Sequence, residues 1–184
     1  MNERLHGERR RGPKPLAGEA LDWYAVKALA ARARSIGELR RLLNRRAAKP
    51  EEVSGVLARL QEQGYLNDAR FAETFAAARL ENDRLGRVRV VRDLRARHVT
   101  PEVAERAARK AFDGVDELAL LRSRLEARLR RSGPPSTERK LASLYRALRL
   151  AGFPHAMVLD ELRRLKVETE PLEALDETAG DVSG

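Results

Sequence analysis

Apolar residues recur along this chain every three to four positions, in short blocks broken by glycine and proline. That spacing belongs to amphipathic helices rather than strands. Leu21, Tyr24, Ala25 and Ala28 share a face and predict a first helix over about 17–33. Ser35 and Glu38 have the Ser-x-x-Glu spacing of a capping box and open a second helix, with Leu39, Leu42, Leu43 and Ala47 as its stripe. Pro50 suits the first turn of a third helix, where a missing N–H costs little, and Val53, Val56, Leu57 and Leu60 line it. Gly64 can take the left-handed conformation that stops a helix.

The stretch Gly64-Tyr65-Leu66-Asn67-Asp68-Ala69-Arg70-Phe71-Ala72 is a junction. Tyr65 and Leu66 are expected to pack back on the preceding turns, and Asn67 or Asp68 to cap the next helix. Phe71, Phe75 and Ala78 give that helix a stripe, and it is expected to run to Arg84 before Gly86 breaks it. Val90, Val91 and Leu94 mark the following helix. Thr100 and Pro101 read as an N-cap and a first-turn proline, with Val103, Ala107 and Ala111 behind them. From Asp116 onward Leu118, Leu121, Leu125 and Leu129 form an edge, and Ser132-Gly133-Pro134-Pro135-Ser136 is a loop. Leu141, Leu144, Tyr145 and Leu148 follow, then Gly152-Phe153-Pro154 turns the chain into a last helix with Val158, Leu162 and Leu165.

The three blocks superimpose by number. Pro50, Pro101 and Pro154 are 51 and 53 residues apart, and Leu43, Leu94 and Leu148 are 51 and 54 apart. A period of about 50 residues with three helices each is the mark of a tandem array whose units stack to bury more surface. The expected fold is therefore all-α, an elongated row of three three-helix, helix-turn-helix-like repeats. Its parts are a flexible basic arm over 1–16, repeats over 17–66, 67–114 and 115–166, and an acidic disordered tail over 167–184.

Composition narrows the chemistry. Aromatic residues make up only 4% of the chain, which fits leucine–alanine helical packing, and cysteine is absent, which removes disulfides and thiolate metal sites. The formal charge is +9; the tail holds six acids and no Lys or Arg, leaving +15 on residues 1–166. So basic a body points to nucleic acid, an acidic protein surface or anionic lipid. No apolar run reaches the roughly 18 residues of a membrane span. Arg9-Arg10-Arg11 resembles a twin-arginine start, but no apolar segment follows it, so a cytoplasmic protein is expected.

No catalytic constellation is present: His6, His98 and His155 are far apart, and no Walker loop, Gly-x-Gly-x-x-Gly or HExxH occurs. No enzyme activity, metal or cofactor is expected. The positive signal is a set of arginine-rich helix faces. Arg32, Arg34, Arg40, Arg41, Arg45 and Arg46 form the first, and Arg84, Arg87, Arg89, Arg92, Arg95 and Arg97 the second. Arg122, Arg124, Arg128, Arg130 and Arg131 form the third. Such faces can neutralise phosphates, giving salt-sensitive binding, or pair with carboxylates of a protein. With few aromatics for stacking, sequence-specific single-strand reading is not expected.

The junction at 64–72 resembles the signature of the RecX family of bacterial recombination regulators. So do Tyr24-Ala25 leading to Ala31-Arg32-x-Arg34-Ser35-x-x-Glu38-Leu39, the stretch Arg89-x-x-Arg92-Asp93-Leu94-Arg95, and Leu148-Arg149-x-x-Gly152-Phe153. The likeness covers about residues 20–166 in the family's order. Gly64, Tyr65, Leu66, Asp68, Arg70, Phe71, Gly152 and Phe153 match its signature and read mainly as structural. The chain departs from it at Gly86-Arg87, where Gly-Pro is usual, at Arg97-His98-Val99, where Lys-Gly-Ile is usual, and at Asn67, where aspartate is usual. The resemblance implies a monomeric binding protein of the RecA recombinase filament on single-stranded DNA. Such a protein lodges in the filament groove and inhibits ATP hydrolysis, strand exchange and coprotease activity by blocking extension or favouring disassembly. Direct DNA contact without sequence specificity is implied as well. The candidate contact residues are Arg32, Arg34, Arg40, Arg41, Arg45, Arg46, Arg87, Arg89, Arg92, Arg95, Arg97, Arg122 and Arg128. The competing expectation is a helix-turn-helix protein that binds duplex DNA alone; the chain's poverty in Asn and Gln counts against it.

Overall fold

Helix-forming stripes and their stops translate into nine helices over residues 14–165, the part of the chain that the computed structural model describes. They are α1 (Glu19–Ala31), α2 (Ile36–Asn44), α3 (Glu51–Glu62), α4 (Asp68–Glu81), α5 (Arg87–Ala96), α6 (Pro101–Ala111), α7 (Glu117–Ser132) and α8 (Glu138–Leu150), with α9 over 155–165. An isolated parallel bridge joins Leu16 to Ala47. Most of the expected basic arm, the acidic tail and His6 lie outside the described residues.

The chain divides into two compact units. Among the described residues the first holds 14–71 and 97–99, and the second holds 72–96 and 100–165. In the first, α1, α2 and α3 bury Leu21, Ala25, Leu39, Leu43, Val53, Val56, Leu57, Leu60 and Leu66 in one core. In the second, α7, α8 and α9 bury Leu121, Leu125, Leu144, Leu148, Phe153, Val158 and Leu162. Ala72, Ala76, Val90, Leu94, Ala104, Ala107, Ala108 and Phe112 are buried there as well. Leu43, Leu94 and Leu148 are all buried near the ends of α2, α5 and α8, and Pro50, Pro101 and Pro154 each stand at the start of the next helix.

Several local expectations are corrected. Leu66 packs into the first core, but Tyr65 stands 64% exposed. On α4 the buried stripe is Ala72 and Ala76, while Phe71 and Phe75 are half-buried and Ala78 is exposed. Alanine permits the closest backbone approach; each phenylalanine instead lies under a guanidinium, Arg97 over Phe71 at 6.0 Å and Arg79 over Phe75 at 4.9 Å. On α6 the buried face is likewise turned to Ala104, Ala107 and Ala108. α4 ends at Glu81, before the expected Arg84, which takes a left-handed φ of 48° in the turn that follows. Thr100 holds the N-cap position of α6, but its hydroxyl accepts no capping hydrogen bond; proline at the first helical position has already removed one orphan donor.

Candidate functional site

The start of α2 is where the first unit's motif residues converge. Ser35 Oγ accepts the Glu38 N–H at 3.0 Å and Glu38 Oε2 accepts the Ser35 N–H at 3.2 Å, completing the capping box. Ser35 is fully buried, and its hydroxyl donates to the Arg97 carbonyl. Glu38 Oε1 also takes Arg32 Nη2 and Arg97 Nη1, each at 3.3 Å. Arg34 is half-buried and donates to the Ala28 carbonyl at 3.0 Å. Burial, and then the neighbouring Arg32, holds its guanidinium below the ordinary value. Arg41 donates to His98 Nε2 at 2.7 Å. His98 has a φ of 62°, in the left-handed region that glycine favours. This is one of the positions at which the chain departs from the signature it resembles.

Asn67 and Asp68 divide the tasks expected of either. Asn67 Oδ1 caps α4 by accepting the Arg70 N–H at 2.9 Å, and Arg70 returns a hydrogen bond to the Gly64 carbonyl at 3.1 Å. Asp68 Oδ1 accepts the Ile36 N–H at 2.8 Å, one of the orphan donors at the start of α2. Burial raises the Asp68 carboxyl above its ordinary value; the Ile36 hydrogen bond opposes this, and the charge of Glu38 adds to it. A carboxyl whose folded pKa exceeds its unfolded one weakens the fold when ionised. Its penalty is full above the folded value and disappears as pH falls through that value towards the unfolded one. Asp68→Asn keeps the acceptor without the charge, so urea unfolding at pH 7 should find it at least as stable as the parent, with the difference closing on acidification. Asp68→Ala orphans the Ile36 N–H and should cost about 1–2 kcal/mol.

In the second unit the other motif residues meet where α5 begins and α8 ends. The Gly86 N–H donates to the Ala151 carbonyl at 2.9 Å and the Val88 N–H to the Gly152 carbonyl at 3.3 Å. Donors orphaned at one helix start thus use acceptors orphaned at another helix end. Arg89 donates to the Leu150 carbonyl at 3.1 Å and pairs with Asp93 at 2.7 Å. Phe153 is fully buried, and Gly152 has a φ of 101°. Arg122 makes a two-point pair with Glu161, at 2.8 and 3.2 Å. Arg87 approaches Glu117 at 4.0 Å.

Apart from Arg87, half-buried and near Glu117, the candidate arginines fall into two groups. Arg32, Arg34, Arg89, Arg97 and Arg122 direct guanidinium N–H groups into their own unit. So does Arg46, which reaches the Lys14 carbonyl at 3.3 Å and stacks on Tyr24 at 5.1 Å. Arg40, Arg45, Arg92, Arg95 and Arg128 are exposed, as is Arg41 beside His98. Arg87, Arg92 and Arg95 rim a recess of about 540 Å³ along α5 with Val88 and Val91 in its wall. Among the described residues no group of His, Cys, Asp and Glu could hold a metal ion. No described helix is long and apolar enough to cross a membrane.

Sequence reasoning missed one feature. Trp23 is 67% exposed and Val26 50% exposed on α1, with the Lys27 ammonium 5.5 Å from the Trp23 ring. Both lie off the stripe of Leu21 and Ala25, and a large aromatic off the buried stripe was the available signal.

Comparison with known proteins follows the same residues. A family model described as the RecX second three-helix domain matches residues 67–107. The chain is 37% identical over 162 residues to a protein of Deinococcus radiodurans named Regulatory protein RecX, covering 85% of this chain and 73% of that one. It is 32% identical over 149 residues to the protein of that name from Amycolatopsis mediterranei, covering 79% and 85%. Among solved structures, RecX from Lactobacillus salivarius superimposes with a TM-score of 0.67 at 16% identity, over 81% of this chain and 96% of that one. That likeness speaks for the fold.

Proposed function

Because the chain belongs to the RecX family of regulatory proteins, we propose that it is a negative regulator of the RecA recombinase. It binds the RecA filament on single-stranded DNA, along the groove, as a cytoplasmic monomer of three repeat modules over 17–66, 67–114 and 115–166. It restrains ATP hydrolysis, strand exchange and coprotease activity by blocking extension or promoting disassembly, and touches DNA without reading its sequence. The observation that carries this reading is the 37% identity with a protein named Regulatory protein RecX across most of both chains. The exposed cations on α2 and α5 support it. Arg40, Arg45, Arg92 and Arg95 are surface groups suited to phosphates or carboxylates, and repeated weak contacts in one array add through effective concentration.

The test is ATP hydrolysis by preformed RecA–single-stranded DNA filaments during titration with this protein. Inhibition is expected at well under one molecule per RecA protomer. Arg40→Ala/Arg45→Ala should raise the half-inhibitory concentration by about tenfold while leaving thermal unfolding unchanged, because both side chains are exposed. If ATP hydrolysis is untouched while the protein still binds duplex DNA, a stand-alone helix-turn-helix protein becomes the better reading.

A further inference from the structure

The turn after α4 meets α7 and α8 of the same unit at a recess of about 350 Å³. Arg84, Arg124, Arg128, Arg130 and Arg131 line it, around a patch of Ala127, Ala147 and Leu148. We propose that this recess binds phosphate oxygens, and that in the working protein they belong to the backbone of a single DNA strand. The inference deepens the function proposed above by giving the strand a place, and rests on it for the strand's identity.

Charge is the first argument. Five arginines line the recess. The one carboxylate in the lining, Asp83, is taken by Arg79 at 2.5 Å, and Glu126 outside it reaches Arg130 only at 3.7 Å. With five arginines against one carboxylate, the recess keeps an excess of positive charge beside apolar atoms, which focuses its field on an incoming anion.

The second argument is that the recess is built. Arg84 is not glycine, yet it takes the left-handed φ of 48°, a conformation with a steric cost. It is held there, with Nη1 donating to Ser123 Oγ at 3.1 Å. Arg124 Nη1 donates to the Asp83 carbonyl at 2.9 Å, fixing the same turn against α7. Each guanidinium has five N–H donors, so both retain donors beyond these bonds.

Spacing gives the third argument. Arg124, Arg128 and Arg131 are at i, i+4 and i+7, one face of α7 over about 10 Å. A row of that length along one helix face can touch successive phosphates of one strand. The recess has no aromatic lining to stack a base, so it suits a backbone and not a sequence.

The test is fluorescence anisotropy of a labelled oligothymidylate with the full chain over a potassium chloride series. Arg128→Ala/Arg131→Ala should weaken binding about tenfold at low salt and flatten the salt slope by roughly one unit or more. Arg84→Gly relieves the left-handed strain, so its Tm should equal or exceed the parent's while its DNA affinity falls; a purely structural Arg84 would move only the first. Unchanged affinity and slope in both variants, with native circular dichroism, would overturn the proposal. So would a loss confined to the RecA filament with free DNA binding intact, which would assign the recess to an acidic protein surface. Inorganic phosphate and ATP serve as competitors at fixed ionic strength. Weak competition supports a strand as occupant; displacement of the oligonucleotide by micromolar ATP would overturn it in favour of a free nucleotide. If the parent binds DNA through this recess but leaves filament ATP hydrolysis unaffected, the regulatory function fails and the recess stands.

Discussion

Gly152→Ala is expected to remove about 3–5 kcal/mol of stability, the largest loss foreseen for any single methyl group added to this chain. A Cβ on Gly152 would lie 2.4 Å from both the N and the Cβ of Arg89 and 2.6 Å from the Gly86 carbonyl oxygen. Two of those three atoms are backbone, so no rotamer change relieves the overlap. The φ of 101° adds a conformational penalty for any L side chain. Relief requires α5 to draw away from the end of α8. That would break the bonds from the Gly86 and Val88 N–H groups and from Arg89 to the three carbonyls of residues 150–152. Gly64→Ala is the control: Gly64 also has a left-handed φ, 74°, but a Cβ there meets nothing within 4 Å. It should cost only about 1 kcal/mol. Urea unfolding of both variants separates close approach from conformation, and equal losses would refute the close-approach account. Arg87, Arg92 and Arg95 ride on α5. A Gly152→Ala protein that stays folded at low temperature should therefore also show altered DNA binding.

How much of this was legible in the sequence depends on the range of each interaction. The capping box Ser35–Glu38 is local, and its Ser-x-x-Glu spacing predicts both of the hydrogen bonds that form. Leu43, Leu94 and Leu148 were aligned by spacing alone, and all three are buried. The stripe of α4 predicted from periodicity differs from the buried one because alanine and phenylalanine both count as apolar. Periodicity cannot say that Ala72 and Ala76 permit the close approach while Phe71 and Phe75 serve as floors for arginine. Gly86 read as a helix breaker, whereas its site is a close approach to the Gly152 carbonyl, which needs the fold to be seen. The same holds for the arginines. Every one falls off an apolar stripe, so the pattern marks all as surface. Yet Arg122 finds Glu161 39 residues away and Arg97 finds Glu38 59 residues away. Which cations remain for a partner is a tertiary property that no helical period carries.

Glu38→Ala should be the second most damaging exchange, at about 2–3 kcal/mol by urea unfolding, although Glu38 sits on an ordinary-looking helix face. Its carboxylate, 14% exposed, closes the capping box and answers both Arg32 and Arg97. Removing it orphans the Ser35 N–H, worth about 1 kcal/mol as a lost cap. It also leaves Arg32 and Arg97, which both reach this carboxylate, without that anion, a loss that solvent screens only partly because Arg97 is largely covered. Asp68 responds in the opposite direction. Glu38 is one of the influences that raise its carboxyl, so in Glu38→Ala the Asp68 charge becomes easier to hold and recovers part of the loss. A double-mutant cycle exposes this exchange. In the parent, Asp68→Asn relieves a half-buried charge and should be neutral or better; in the Glu38→Ala background it removes the anion left beside Arg32 and Arg97 and should be destabilising. A change of sign between the two backgrounds is the expected result. Additive behaviour would mean that the two carboxylates hold the start of α2 independently, and that the convergence of Arg32, Asp68 and Arg97 upon it carries no electrostatic coupling.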